Sequence, residues 1–183
     1  MDATTSAELA DQATATAALI TVRHDLNVSV DNLCDRTDGL RDLVVSTRPK
    51  GLLTVDEMAT AVGRDRNYID SIWSANGDTT KGKQTRVQID ITPGVGEAAR
   101  FAYETLADAA NALKRAASMV STARAERDRV VALVYASKLL GPSAIAATVQ
   151  VDRNHVLRIA RKAGVPPVHR VSSKNQYTTT DGN

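Results

Sequence analysis

Residues 150–164 read QVDRNHVLRIARKAG, and residues 63–77 read GRDRNYIDSIWSANG. Both write Asp-Arg-Asn, follow it with aliphatic residues at one spacing (Val156 and Ile159, Ile69 and Ile72), and close on glycine. Shifting the chain on itself by 87 positions also aligns Leu52-Leu53 with Leu139-Leu140, Ala59 with Ala146 and Val62 with Val149, while Met58 meets Ile145. Matches at buried-type positions over about 26 residues indicate one structural unit used twice.

Each copy reads as a short helix, a tight turn and a second helix. In the first, Thr54 and Glu57 have the spacing of a capping box that starts a helix running to Val62, and Gly63 supplies the turn. In the second, Pro142 after Gly141 suits a first helical position, and the helix runs to Val149. Asp65 and Asp152 stand where an N-cap acceptor opens the next helix, so their repetition is assigned to capping. That helix turns Ile69 and Ile72, or Val156 and Ile159, inward.

This pattern resembles the helix-turn-helix of phage repressors and of the DNA-binding ends of site-specific recombinases. An aliphatic residue and a small alanine in the first helix, a glycine at the turn and two aliphatic residues in the second helix are met by Met58, Ala59, Gly63, Ile69 and Ile72. Ile145, Ala146, Val156 and Ile159 meet them again. Two positions depart: Gln150 replaces the turn glycine of the second copy, and Arg64 replaces the usual apolar residue after the turn in the first. The resemblance covers about a quarter of the chain and implies a second helix that enters the DNA major groove, about 12 Å wide.

The candidate DNA-binding residues follow from that geometry. Arg66-Asn67 and Arg153-Asn154 fall on the first exposed turn, where arginine can bond guanine twice and asparagine can pair with adenine. Arg158, Arg161 and Lys162 continue a basic stripe suited to phosphate. The first copy offers Asp70, Ser71 and Ser74 there instead, with its cations beyond the helix at Lys81, Lys83 and Arg86. Tyr68 and His155 occupy equivalent places within reach of phosphate, and Arg64, Ser143 and Arg170 complete the set. Trp73, the sole tryptophan, is assigned to packing. The second copy is expected to bind more strongly, and the two to read different sequences.

The remaining segments read as scaffold. Thr85–Ile91 alternates as a short strand would and could be a β wing after the first module. From Ala99 apolar residues step by three and four through Ala102, Leu106, Ala109, Leu113, Ala116, Val120 and Ala123, then Arg127, Val130 and Val134. This heptad seam predicts one helix from about Val95 to Ser137, roughly 60 Å long. A second helix is expected from Ser6 to Cys34 with Leu19, Val22, Leu26, Val30 and Leu33 on one stripe, then a break at Asp38-Gly39 and a shorter helix from Leu40 to Ser46.

The fold class expected is all-α: two helix-turn-helix modules joined by long heptad-patterned helices. Its segments are an N-terminal helical scaffold (1–39), the first module with its wing (40–92), a central helix (93–124), the second module (125–170) and a disordered tail (171–183). Two arrangements bury the seams. Either the N-terminal and central helices pack on each other within one chain, or central helices pair between chains. Asp, His and Asn on the N-terminal stripe favour the second, a homodimer through the central helix.

Composition limits the chemistry. The chain has 183 residues, 43% hydrophobic and 24% charged, with a net charge of +2, as an ordinary globular protein would. The acidic N-terminus and the lack of a long apolar run predict a cytoplasmic, nucleoid-associated protein without a membrane segment. Cys34 is the only cysteine and His24, His155 and His169 are scattered, so neither a metal nor another cofactor is expected. No phosphate-binding glycine loop and no nucleophile-and-base spacing is present, which argues against an enzyme.

The leading expectation is a sequence-specific double-stranded DNA-binding protein, a repressor or regulator of phage, plasmid or bacterial type. An architectural or partition protein and a helical interaction module are the alternatives. The acidic N-terminal helix is a candidate surface for a protein partner.

Overall fold

A computed structural model describes residues 10–76 and 95–166. The proposed wing at 85–91, the cations Lys81, Lys83, Arg86 and Arg170, and the tail at 171–183 lie outside the described residues. Within them the chain is all-α, with six α-helices: α1 (Gln12–Thr47), α2 (Val55–Val62), α3 (Arg66–Ala75), α4 (Val95–Ser137), α5 (Pro142–Val149) and α6 (Arg153–Lys162). No described helix is long and apolar enough to cross a membrane.

Local chemistry explains the short helices. Thr54 and Glu57 form the complete capping box of α2, the Thr54 hydroxyl accepting from the Glu57 N–H and the Glu57 carboxylate accepting from the Thr54 N–H. Asp65 accepts from the Tyr68 N–H and Asp152 from the His155 N–H, both at 2.8 Å, so both aspartates are N-caps. Pro142 opens α5 after Gly141.

Between α2 and α3 the chain reverses at Gly63, with φ 64°, and between α5 and α6 at Gln150, with φ 57°. The Arg64 N–H then bonds the Ala59 carbonyl and the Val151 N–H the Ala146 carbonyl, each at 3.0 Å. Gln150 therefore adopts the left-handed turn for which its counterpart uses glycine.

The α1 helix corrects one expectation. Asp38-Gly39 does not break it, and a single helix of 36 residues replaces the two expected. A glycine inside a helix costs only about 1 kcal/mol relative to alanine. Continuing the helix buries Leu40 and Val44, each worth about 1.5–3 kcal/mol. The stop comes at the turn around Pro49, where Gly51 takes a φ of 63°.

The expected central helix agrees with α4, Val95–Ser137. Every seam position from Ala99 to Val134 is buried or half-buried.

The repeat extends further than the sequence matches alone. Under the same shift α2 falls on α5 and α3 on α6 end for end, left-handed Gly51 falls on left-handed Lys138, and fully buried Val44 falls on fully buried Val131. Fully buried Leu19 of α1 likewise falls on fully buried Leu106 of α4.

Two compact units result, and they do not follow the linear segments. Among the described residues, one comprises 10–24 and 125–166, the other 25–76 and 95–124. In the first, Ala15, Leu19 and Val22 of α1 enter one core with Val131 and Val134 of α4, Ile145 of α5 and Val156 of α6. In the second, Leu40 and Val44 of α1 join Met58 of α2, Ile69 of α3 and Leu106 of α4. Each short-helix pair thus completes its core with the long helix of the other repeat, and the seams are covered inside a single chain. A second copy is not needed for that purpose.

Candidate nucleic-acid interface

The exposed faces of α3 and α6 carry the residues singled out in the sequence. Arg66, Asn67, Ser71 and Ser74 are exposed on α3, and Arg153, Asn154, Arg158, Arg161 and Lys162 on α6. Tyr68 and His155 are half-buried at matching places. The buried side of each helix is held by Ile69 and Ile72, or by Val156, Ile159 and Ala160. A rigid buried face fixes the orientation of the exposed one. Arg64 and Ser143 are exposed on the two connections and helix starts beside them.

The two faces differ in charge. α3 contains one arginine and one aspartate, whereas α6 contains Arg153, Arg158, Arg161 and Lys162 with no acidic residue. Arg66 lies 3.7 Å from Asp56 and 3.7 Å from Asp70. Asp70 also takes a 3.1 Å hydrogen bond from Arg48, whose guanidinium stacks 4.7 Å from the centre of the half-buried Trp73 ring. Trp73 is therefore part of a packed and ion-paired surface. Arg64 stacks over Tyr68 at 5.5 Å.

Ser71 and Ser74 direct their hydroxyls to backbone carbonyls of their own helix, at Tyr68 and Asp70. That leaves α3 few uncommitted donors.

On α6, no ion pair with a described residue engages Arg153, Arg161 or Lys162. Arg161 and Lys162 occupy the last turn, where cations also complement the helix dipole. Arg158 instead bonds Nδ1 of His155 at 2.5 Å. The second ring nitrogen of His155 faces Arg127, a residue of α4 that sequence reasoning placed only in the hydrophobic seam. Its proximity to α6 could not be read from the heptad pattern, which specifies a face of a helix and not the neighbour across it.

Among the described residues, two carboxyls have shifted acidity. Hydrogen bonds from the Thr14 N–H and hydroxyl hold Asp11, at the start of α1, below the usual carboxylate value. A hydrogen bond from Arg129 does the same to Glu126. Neither lies on the basic face.

Comparison with protein-family models, with curated proteins and with solved structures finds no match. The chemistry of these two faces has to be argued from their residues.

Proposed function

We propose that the chain is a sequence-specific double-stranded DNA-binding protein, a transcriptional repressor or regulator that reads a composite site with α3 and α6. One observation carries the reading: the same N-capped helix, opening on exposed Arg-Asn and preceded by a short helix and a left-handed turn, occurs twice in one chain. A helix held by its buried face and exposed at its N-terminal turn suits entry into a major groove.

Arg153-Asn154 and Arg66-Asn67 read base edges in this mechanism, while Arg158, Arg161 and Lys162 neutralise backbone phosphates. Arg153, Arg161 and Lys162, which no described carboxylate pairs, make α6 the stronger head. α3 must first exchange the carboxylates of Asp56 and Asp70 for DNA before Arg66 is available. It contributes selectivity more than affinity. Occupation of the site would exclude other proteins from the same duplex.

Selection of bound duplexes from a random pool at about 150 mM salt tests this. The expected product is a long asymmetric motif that loses one half in Arg66→Ala and the other in Arg153→Ala. Retention of every sequence alike, with binding that vanishes as salt rises, would replace the regulator reading with an architectural one.

A further inference from the structure

Three groups able to meet an anion converge where α4 passes the start of α6. The repeat shows what is unusual about them. The positions equivalent to Arg127, His155 and Arg158 in the first copy are Leu40, Tyr68 and Ser71. Leu40 is 2% exposed in its core. The second copy places a guanidinium there, with its side chain 13% exposed. Burying a guanidinium where leucine would serve is costly unless its donors are satisfied.

They are satisfied only in part. Nε and Nη2 of Arg127 donate to one oxygen of Asp128, at 3.0 and 2.6 Å. Nη1 has no hydrogen-bond partner among the described residues, and no unpartnered polar side-chain atom there is sealed from solvent.

His155 makes the local imbalance explicit. Its Nδ1 lies 2.5 Å from Nη2 of Arg158 and its Nε2 lies 3.4 Å from Nη2 of Arg127. A guanidinium only donates, and a neutral imidazole has one accepting nitrogen. In either tautomer, therefore, one ring nitrogen points an N–H at a guanidinium, and two donors meet without an acceptor between them. Among the described residues, Asp128 is the one carboxylate paired with a side chain of the cluster, and Asp152 meets only the backbone N–H of His155, against two guanidinium charges. The N-terminal turn of α6 adds positive potential near His155, offset in part by the Asp152 carboxylate that caps it. Such a set of donors suits an anion with several acceptor oxygens.

We propose that Arg127, His155 and Arg158 form a phosphate-binding site, and that its occupant is a backbone phosphate of bound DNA. The phosphate chemistry stands on the cluster alone, while the assignment to DNA rests on the function proposed above. A phosphate oxygen between the Arg127 and His155 donors would replace the donor–donor contact with two charge-assisted hydrogen bonds, and Arg158 would close on a second oxygen. Arg127, anchored from behind by Asp128, would fix the phosphate's register relative to the base-reading pair Arg153-Asn154.

The test uses the full chain in two arms. In the first, the arginine side-chain N–H resonances are followed by NMR during titration with inorganic phosphate, against sodium chloride at equal ionic strength. The signals of Arg127 and Arg158 are expected to move with phosphate in the wild type and to move less in His155→Tyr. No movement beyond the chloride control overturns the site.

In the second arm, the affinity for a duplex recovered by selection is measured against salt for the wild type, Arg127→Leu and Arg158→Ala. Arg127→Leu restores the side chain used by the first repeat, and Arg158 is exposed, so both variants should fold. Each is expected to weaken binding to all sequences alike and to lower the slope of log affinity against log salt by about one. An unchanged slope, with phosphate shifts intact, overturns the backbone assignment and leaves a site for free phosphate. Phosphate shifts in a wild-type chain that binds no duplex would refute the DNA reading while upholding the site.

Discussion

At Gln150 a single residue holds a conformation that its repeat partner assigns to glycine. Left-handed backbone disfavours a residue with a Cβ, and the exposed Gln150 side chain has no hydrogen-bond partner among the described residues. Gln150→Gly is accordingly expected to raise stability by about 0.5–1 kcal/mol, the strain relieved being larger than the entropy glycine adds to the unfolded chain. The reverse change, Gly63→Ala at φ 64°, should lower stability by about 1 kcal/mol although the space around it is open. Urea unfolding of the two variants with an unchanged m-value measures both. A decrease for Gln150→Gly would mean that the glutamine side chain contributes more than the strain removes. The caps were legible in the sequence, because Thr54-Glu57, Asp65 and Asp152 act within four residues of themselves. Arg127 was not, because its role depends on His155, 28 positions away.

Among elements, α3 and α6 have the same length and caps and opposite electrostatic economy. Exposed ion pairs such as those of Arg66 with Asp56 and Asp70 contribute little to stability, about 0–1 kcal/mol. Under the proposed function they would still compete with an incoming phosphate. Arg153→Ala should therefore cost more DNA affinity than Arg66→Ala, and Asp70→Leu, which installs the residue equivalent to Leu157, should strengthen binding and steepen its salt dependence. Fluorescence anisotropy over a salt series decides this; equal losses for Arg66→Ala and Arg153→Ala would remove the asymmetry. Glu126 supplies a pH marker on α4. Its folded-state acidity is depressed by Arg129, so its contribution is present at neutral pH and fades as pH falls below the usual glutamate range, and Glu126→Gln should flatten acid unfolding there. α1 shows where element boundaries escaped the sequence: Asp38-Gly39 carries a local stop signal that the burial of Leu40 and Val44 overrides.

For the whole molecule, the exchange of long helices between repeats determines what is coupled to what. Among the described residues, 25–76 and 95–124 hold 12 acidic and 10 basic side chains, net −2, and 10–24 and 125–166 hold 4 and 8, net +4. The basic unit is thus the one that contains α6, yet part of its core comes from α1. The repeat was visible in the sequence, whereas this exchange was not, because a heptad stripe accepts any apolar partner of the right size. Leu19 and Leu106 are each fully buried, and truncating either to alanine should cost about 2–5 kcal/mol. The location of the damage is the informative part. Leu19→Ala should reduce amide-exchange protection first in α5 and α6, and Leu106→Ala first in α2 and α3; damage confined to each leucine's own repeat would contradict the observed cores. Because both seams are filled within one chain, sedimentation equilibrium at micromolar concentration should return the mass of one chain, in place of the central-helix homodimer that the N-terminal stripe led us to expect. Phe101 and Met119 of α4 remain 71% and 53% exposed. A dimer abolished by Phe101→Ser and Met119→Ser together would show that the outer face of α4 pairs even though its inner seam is already covered.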